Sequence, residues 1–524
     1  MRKLLAVILA AAMTVSLAGC GGNAASSGNA GGTQEAGGSG ASGEVKDTLI
    51  IGHYGDTPNF DTHDNLNDNG MRINMCVYDP LVRMDNETYE IKPCLAESWE
   101  ISEDGREYTF AIKSGVKFTD GTDMSIDDVV FSLERGMEMP MAVPSFARVT
   151  GVEKVDDSHV KVILDGPYPE FLFAMALPTA GIFSKTAFES MGEDAFKKNP
   201  VTTAPYKVAD WKAGEKVVLE ANENYHMGEV PIKHVEYRVI TDPNSAVLSL
   251  ESGDIDAYVD VQQTSFKRIQ ENDKLELHTG DTFGLNYITI NCEKAPFDNI
   301  KARQALAYAT DKESMLYGIL DGNGTIMDTF ATDKYLGYTD KVEKYPYDLE
   351  KAKALFAEAG VDGSQEISII VYDTKASKYA QVLQNSLAEI GLKANVSQME
   401  RSAYDDACLN GDAHIMVDGG TFTAPTIDEA LYSGIHSSQM DVRNYSKYSD
   451  PEADRLLDEA RITLDETQRA ALYEQLLIKL SKDLPMIPTL SGTKNIATNK
   501  NLKGVTVNPW SFYNVYDFSW RRDE

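Results

Sequence analysis

The chain has 524 residues, of which 42% are apolar and 25% are charged. Its 81 acidic and 49 basic side chains give a formal net charge of −32. So acidic a protein is repelled by phosphate backbones, which argues against nucleic acid as a partner. Beyond the N-terminal segment, no apolar run approaches the roughly 18 residues that suggest a membrane span.

The N-terminus has the features of a lipoprotein signal. Arg2 and Lys3 precede an apolar stretch at residues 4–15, which is too short to cross a bilayer and is typical of a secretory signal. The sequence Leu-Ala-Gly-Cys that ends at Cys20 resembles the bacterial lipobox, whose cysteine is acylated after cleavage just before it. We therefore expect a signal peptide over residues 1–19 and a lipid on Cys20.

A flexible linker is predicted to follow the lipid. Residues 21–43 are Gly, Ser, Ala and Asn with few exceptions, and such a segment buries little and behaves as a coil that spans roughly 25 Å. We expect the linker over residues 20–46 and folded sequence from about Asp47. The protein would then be held on the extracytoplasmic face of the cell membrane.

Strand-like and helix-like segments alternate through the remaining residues. Predicted strands include residues 48–51, 107–112, 152–155 with 159–164 as a hairpin, 367–372 and 392–396.

Predicted helices begin and end at recognisable residues. Ser125 begins one with a capping-box pattern, and two others end at Gly360 and Gly391. The longest predicted helix runs from about residue 451 to 482. The pattern predicts an α/β fold of more than one lobe, with mixed sheets and covering helices.

The cysteines and histidines do not form a metal motif. Cys76, Cys94, Cys292 and Cys408 fit no zinc spacing, and they permit either a Cys76–Cys94 disulfide or isolated buried thiols. The polar residues 61–69 have the wrong register for a calcium loop and instead predict a cap for the next helix. We expect no metal and no cofactor.

Common catalytic motifs are missing as well. The sequence contains no GxSxG, HExxH, P-loop or GxGxxG pattern, so we expect a protein that is not an enzyme. An anchored hydrolase is a remote alternative, because absence of motifs does not exclude catalysis. A structural, adhesive or signalling lipoprotein is a further alternative.

The most specific pattern starts at Tyr78. It comprises Tyr-Asp-Pro-Leu-Val-Arg-Met-Asp, then residues 91–99 (IKPCLAESW), 102–110 (SEDGREYTF), 111–118 (AIKSGVKF) and 127–135 (DDVVFSLER). This block resembles the signature of the family 5 extracellular solute-binding proteins, the peptide-, nickel- and oligosaccharide-binding components of ABC importers. Similar family segments follow in the correct order at residues 205–225, 246–256, 286–309 and 348–360.

The resemblance implies a two-lobed, periplasmic-binding-protein-like fold with an extra inserted domain. It places domain I at residues 47–81, 198–282 and 495–524, domain II at residues 82–197, and domain III at residues 283–494. It also implies a monomer that works with an ABC transporter permease and closes its lobes on a solute.

The resemblance also bears on the identity of the ligand. Peptide binders of this family place an Asp in domain III against the ligand's ammonium group, and Thr421 stands at the corresponding position here. Asp418 would substitute if the loop is rearranged. We expect a di- or oligopeptide, with a metal chelate or an oligosaccharide as the alternative.

The resemblance also indicates where the ligand would bind. We expect contacts in the first loop, near the crossing between lobes and in domain III, from Asn59, Phe60, Phe283, Asn286, Asp418, Thr421 and Phe422. Aromatic side chains would supply apolar walls, while the polar groups would orient the solute.

Overall fold

The computed structural model describes residues 46–520. The predicted signal peptide, the lipid site at Cys20 and the linker as far as residue 45 lie outside the described residues. In the part of the chain that is described, no helix is both long enough and apolar enough to span a membrane.

The strands are numbered along the chain. They are β1 (Thr48–His53), β2 (Val82–Met84), β3 (Ile91–Pro93), β4 (Ala96–Ile101), β5 (Glu107–Ile112), β6 (Val149–Lys154), β7 (His159–Leu164), β8 (Tyr206–Lys212), β9 (Lys216–Ala221), β10 (His234–Val239), β11 (Ala257–Val259), β12 (Leu275–Gly280), β13 (Gly284–Ile290), β14 (Gly324–Ile326), β15 (Glu366–Val371), β16 (Lys393–Gln398), β17 (Ile415–Thr421), β18 (Met486–Gly492), β19 (Lys494–Asn499), β20 (Leu502–Lys503) and β21 (Ser519–Trp520).

The α-helices are numbered in the same way. They are α1 (Asp68–Val77), α2 (Ile126–Glu138), α3 (Val143–Phe146), α4 (Phe171–Ala174), α5 (Lys185–Met191), α6 (Glu193–Phe196), α7 (Pro243–Ser252), α8 (Phe266–Gln270), α9 (Ile300–Ala309), α10 (Lys312–Leu320), α11 (Leu349–Glu358), α12 (Thr374–Glu389), α13 (Arg401–Asn410), α14 (Asp428–Ile435), α15 (Pro451–Ile462) and α16 (Glu466–Asp483).

Sheet A has seven strands in the order β12-β19-β11-β1-β10-β9-β8. The strand β1 runs parallel to β10 and β11, whereas β9 and β19 pair antiparallel with their neighbours. Alternate residues such as Leu49, Ile51 and Leu219 point into its core. The alternation arises because successive side chains of a strand point to opposite faces of the sheet.

Sheet B has four antiparallel strands in the order β4-β5-β7-β6. Tyr108, Phe110, Val160 and Val162 supply its buried face. The predicted strand at residues 107–112 and the predicted hairpin at residues 152–164 are both confirmed here.

Sheet C has six strands in the order β14-β18-β13-β17-β15-β16. The strand β15 runs parallel to β16 and β17, and the other pairs are antiparallel. We call residues 46–280 and 494–520, which contain sheets A and B, the first lobe, and residues 284–492, which contain sheet C, the second lobe. The predicted α/β class with mixed sheets and covering helices is confirmed.

The chain passes between sheets A and C at two short segments. One lies between β12 and β13 at residues 281–283, and the other is Thr493 between β18 and β19. Both lie at the same end of sheet C, because β13 and β18 are antiparallel neighbours and the start of β13 therefore lies beside the end of β18. Two short crossings of this kind suit a hinge between lobes.

One hydrophobic core cluster contains residues of both lobes. Tyr108 and Phe171 of the first lobe belong to it together with Leu456, Tyr473 and Leu477 of the second. The two lobes are therefore in contact in this structure.

The long helix predicted from residue 451 to 482 is wrong as a single element. It consists of α15 and α16, which are separated at residues 463–465. Asp465 interrupts the helix because its side chain accepts the backbone N–H of Gln468 and so caps the start of α16. The capping box at Ser125 and the glycines after α11 and α12 are confirmed, with φ of 80° at Gly360 and 84° at Gly391.

The four cysteines of the described body are free. Cys76, Cys94 and Cys408 are buried, and Cys292 is partly buried. The structure thus shows isolated thiols, and the alternative of a Cys76–Cys94 disulfide is wrong. Burial raises the pKa of the Cys76 thiol to about 11 and that of Cys94 to about 12, which keeps both protonated.

Candidate functional site

The strand β17 has a free edge next to the two crossings. On one side it pairs with β13 along its whole length, whereas on the other side β15 pairs only with Ile415 and Met416. The chain turns away after Val371 at the end of β15. Residues 417–421 therefore have no strand partner on that side among the described residues.

The backbone groups of Gly419 and Thr421 face this edge. The N–H of Phe422 donates to the carbonyl of Phe283 at 3.3 Å, and alternate residues of an antiparallel pair face opposite edges. The N–H of Gly419 donates to the carboxylate of Asp418 at 2.7 Å instead of to a strand. A Cβ atom at Gly419 would lie 2.8 Å from the carbonyl oxygen of Leu285, so glycine allows the close pairing here.

Two cavities lie beside this part of β17. The first has a volume of about 280 Å³ and is lined by Asn286, Tyr372 and Lys375 among others. The second has about 290 Å³ and is lined by Arg401, Phe422, Glu429 and Arg443 among others. Asp418, Gly419, Gly420 and Thr421 line both cavities. Their volumes are suited to small solutes or single side chains.

Asp418 is the partly desolvated carboxylate at the centre of the site. Burial raises its pKa, while the N–H of Gly419 and the guanidinium of Arg401 oppose that rise. The Tyr404 hydroxyl lies 3.5 Å from the Asp418 carboxylate. Arg401 lies over the ring of Tyr372 at 4.4 Å, so an aromatic and cationic wall surrounds the carboxylate.

Cations lie on both sides of the free edge. Burial lowers the pKa of Lys375 in the first cavity, and Lys494 nearby lowers it further. In the second cavity Arg401 holds Asp405 at 2.9 Å. The site therefore presents acidic and basic groups within one small region, which suits a ligand that carries both charges.

The structure brings four of the expected contact residues together. Asn286 lines the first cavity, Phe422 the second, and Asp418 and Thr421 line both. Phe283 lies next to them but is 0% exposed, because its ring packs against Tyr89, Tyr335 and Trp510. In this conformation Phe283 offers no surface to a solute.

Asn59 and Phe60 lie in the first lobe and line neither cavity. The side chain of Asn59 accepts the backbone N–H of Asp61 at 2.8 Å. Phe60 is 0% exposed and packs edge-on against Trp211 at 5.1 Å. Both residues therefore make structural contacts within the first lobe, and their role in ligand binding stays a prediction.

Sequence reasoning missed the charged residues of the two cavities. Lys375 lies in the first turn of α12, just after β15, and Arg401 begins α13, just after β16. In open α/β sheets, ligands bind beyond the carboxyl ends of parallel strands. The strands were predictable, so this rule was the signal that could have identified both residues.

One cluster of metal-ligand types lies away from this site. Ligand atoms of Asp79, Cys94 and His226 lie within 4.8 Å of one another. The His226 Nε2 atom is 2.9 Å from Asp79, and Arg83 pairs with the same carboxylate. Because Arg83 already balances the charge of Asp79 and would repel a cation, this donor set is poorly suited to a metal.

In the polar loop before α1, Asn67 accepts two backbone N–H groups of the helix, which confirms the predicted cap.

Comparisons with known proteins agree with this architecture. A sequence model described as "Bacterial extracellular solute-binding proteins, family 5 Middle" matches residues 90–442. The chain is 29% identical to heme-binding protein A of Haemophilus influenzae, over 84% of the chain and 86% of that protein. It is 30% identical to oligopeptide-binding protein AppA of Bacillus subtilis, over 89% and 90%.

A solved structure extends the likeness to the whole described body. The structure of HbpA2 from Haemophilus parasuis matches with a TM-score of 0.84 and 27% identity. The match covers 91% of this chain and 100% of that one.

Proposed function

Because the chain belongs to the bacterial extracellular solute-binding proteins of family 5, we propose that it captures a di- or oligopeptide between its lobes and delivers it to an ABC import permease. The family is described as one of extracellular solute-binding proteins, and AppA is named as an oligopeptide-binding protein. Such a receptor binds and releases its ligand without converting it.

The free edge of β17 is the observation that carries this proposal. An extended peptide can pair with an exposed strand edge through its main chain, while alternate side chains enter pockets on either side. Residues 417–421 offer such an edge, and the two cavities lie beside it. The arrangement therefore suits a short extended peptide.

Asp418 would bind the ammonium group of the peptide. Its carboxylate is partly desolvated, so a charge-assisted hydrogen bond to a cation is stronger there than in water. Thr421 lines the same cavity as Asp418. Asp418 would thus perform the task that the resemblance assigns to an Asp at position 421, and Asn286 and Phe422 would contact the rest of the solute.

Lobe closure would complete the site. We propose the domain limits stated above, with movement about the two crossings at residues 281–283 and Thr493. Asn59 and Phe60 of the first lobe, and Phe283 at the crossing, would approach the ligand only after a local rearrangement. We also propose a monomer anchored by a lipid on Cys20, with residues 20–46 as its linker.

A second candidate is a receptor for an anionic metal chelate. The second cavity contains Arg401 and Arg443, which can bind carboxylates bidentately. The relative from Haemophilus influenzae is named for heme, which supports testing chelates beside peptides. Oligosaccharides are the third class in such a test.

A thermal-shift panel on residues 47–524 tests these alternatives. The protein is refolded to remove carried-over ligand and mixed with di- to hexapeptides, nickel with and without chelators, heme, and oligosaccharides. A ligand at 100 times its Kd stabilises the folded state by about 2.7 kcal/mol, which raises Tm by several degrees. We expect peptides to raise Tm; a shift with chelates or sugars alone would contradict the peptide assignment.

An Asp418→Asn variant tests the proposed contact. Loss of a charged hydrogen bond of about 1.5–3 kcal/mol should weaken peptide binding by roughly ten- to a hundredfold, measured by calorimetry. The control is Asp412→Asn, which removes an exposed carboxylate just before β17 that lines neither cavity and should leave Kd unchanged. Equal affinities of the two variants would contradict a role for Asp418.

A further inference from the structure

Two carboxylates from different lobes are buried close enough for the charge of one to disfavour ionisation of the other. Glu170 precedes α4 in the first lobe, and Asp428 begins α14 in the second. Each residue is only 5% exposed. Buried carboxylates require partners, because an isolated charge in a low-dielectric interior is strongly disfavoured.

Neither carboxylate is fully satisfied by the described residues. One oxygen of Asp428 lies 3.1 Å from Nε of Arg461, but its Oδ1 atom is buried and has no hydrogen-bond partner among residues 46–520. The Oε1 atom of Glu170 is buried in the same unpartnered way within that range. A proton on a carboxyl group would remove its charge and provide a donor.

The surrounding arginines do not neutralise both acids. Arg461 pairs with Asp428 and also lies over the ring of Tyr432 at 3.6 Å. Arg469 faces Glu170, but one of its nitrogens donates to the carbonyls of Thr463 and Leu464 at 2.8 and 3.3 Å. Arg148 is a third, more distant cation that faces both carboxylates.

The other titratable neighbours are acidic or neutral. Glu429 follows Asp428 on α14 and disfavours its ionisation further. Burial raises the pKa values of Tyr108, Tyr168 and Tyr473, and the charge of Glu170 raises them further; the Tyr473 hydroxyl lacks a partner in the described structure.

These surroundings favour the protonated form. Burial raises the pKa of Glu170 despite the nearby arginines. Burial, opposed by Arg461 but reinforced by Glu170, raises the pKa of Asp428 to about 7. When the lobes separate, both side chains meet water and return towards ordinary carboxyl pKa values near 4.

We propose that Glu170 and Asp428 form a proton-binding site that exists only while the lobes are closed, so that closure takes up one proton from solvent. The inference rests on the two-lobe closure of the proposed function and adds a ligand, the proton, that both lobes must hold together. The proton adds to a carboxylate oxygen and forms an O–H bond, so the bound pair carries one negative charge instead of two.

The sign of the pH effect follows from linkage. A carboxyl group with a raised pKa in the closed form favours closure most strongly below its open-form pKa, and that advantage is lost as pH rises through its closed-form pKa. Ligand affinity should therefore fall by up to about tenfold per pH unit between roughly pH 4.5 and 7. Above that range the contribution should be constant.

The test compares the full chain, purified in detergent, with its Asp428→Asn and Glu170→Gln variants. Calorimetry measures Kd for tri-alanine from pH 5 to 8.5, in buffers with different ionisation enthalpies so that proton uptake is measured as well. Because Asp418 titrates in every variant, the ratio of wild-type to variant Kd isolates the proposed pair. Asp157→Asn, which changes a carboxylate that is 98% exposed, is the matched control.

We expect the ratio of wild-type to Asp428→Asn Kd to rise roughly 10- to 100-fold from pH 5 to 7, and wild type to take up more protons than the variant near pH 6. The control should follow wild type. A constant ratio, with equal proton uptake, would overturn the inference while leaving the receptor function intact.

A second measurement does not depend on the peptide. If tri-alanine binds to none of the proteins, the peptide assignment fails, and the inference is decided by the radius of gyration of the ligand-free proteins, measured by small-angle X-ray scattering. The radius of wild type should rise between pH 5 and 7.5, because loss of the shared proton disfavours closure, whereas that of Asp428→Asn should change less. An equal pH dependence of the two radii would overturn the proposed proton site.

Discussion

Asp79 shows how a single buried charge depends on its partners. The residue is 0% exposed, and its carboxylate is shared by Arg83, His226 and the Thr203 hydroxyl. Burial opposes its ionisation, yet Arg83 and His226 together hold its pKa below the usual value. The ion pair contributes stability above the ordinary carboxyl pKa, and that stability is lost as pH falls through the lower pKa of the folded state.

An Asp79→Asn substitution should destabilise the protein by about 3–5 kcal/mol, because it leaves the charge of Arg83 buried without its partner. Urea unfolding measures the change. Asp123→Asn is the control, since Asp123 forms an exposed pair with Lys117 that contributes at most about 1 kcal/mol. A similar small loss in both variants would show that Arg83 finds another partner.

Helices α2 and α10 show how packing determines whether a glycine-to-alanine substitution stabilises or destabilises the protein. Each contains an interior glycine, Gly136 and Gly318, where alanine would be the better helix former. A Cβ atom at Gly136 would overlap the ring of Phe146, whereas a Cβ at Gly318 would meet nothing within 4 Å. The same substitution should therefore have opposite effects at the two positions.

We expect Gly136→Ala to destabilise the protein by about 1–3 kcal/mol through overpacking against Phe146. Gly318→Ala should stabilise it by about 0.4–1 kcal/mol, because alanine restricts the unfolded chain without strain in the helix. Urea unfolding of both variants gives the comparison. Stabilisation of both would mean that Phe146 moves aside at little cost.

At the scale of the whole molecule, two short crossings and one shared core cluster govern the relation between the lobes. The crossings lie beside the free edge of β17, so a ligand bound there is close to the axis of any closing motion. The shared cluster, with Tyr108 and Tyr473 on opposite sides, lies where the lobes touch. In the proposed closure, ligand binding and lobe contact would therefore take place at separate parts of the molecule.

Small-angle X-ray scattering should detect that movement. A compact body of this length has a radius of gyration of about 23 Å, and we expect a bound peptide to bring the ligand-free protein towards that value. The Asp418→Asn variant at the same peptide concentration should stay at the ligand-free value. An identical radius with and without bound peptide would contradict lobe closure.

Local features of the fold were predictable because their causes lie within a few residues. The capping box at Ser125 and the glycines after α11 and α12 act through backbone groups in the same turn. The break between α15 and α16 was missed although Asp465 is a good cap, because the apolar pattern continues on both sides of it. The expected contact residues Asn286, Asp418, Thr421 and Phe422 line the two cavities, and their role in binding stays a prediction.

The sequence by itself determined the family and the α/β class, since these depend on residue types in a fixed order. Only the tertiary structure decided that Phe60 and Phe283 are fully buried, that β17 keeps a free edge, and that the charge of Glu170 acts on the buried Asp428. Burial and charge coupling depend on which segments, far apart in sequence, pack together. No local sequence pattern specifies that packing.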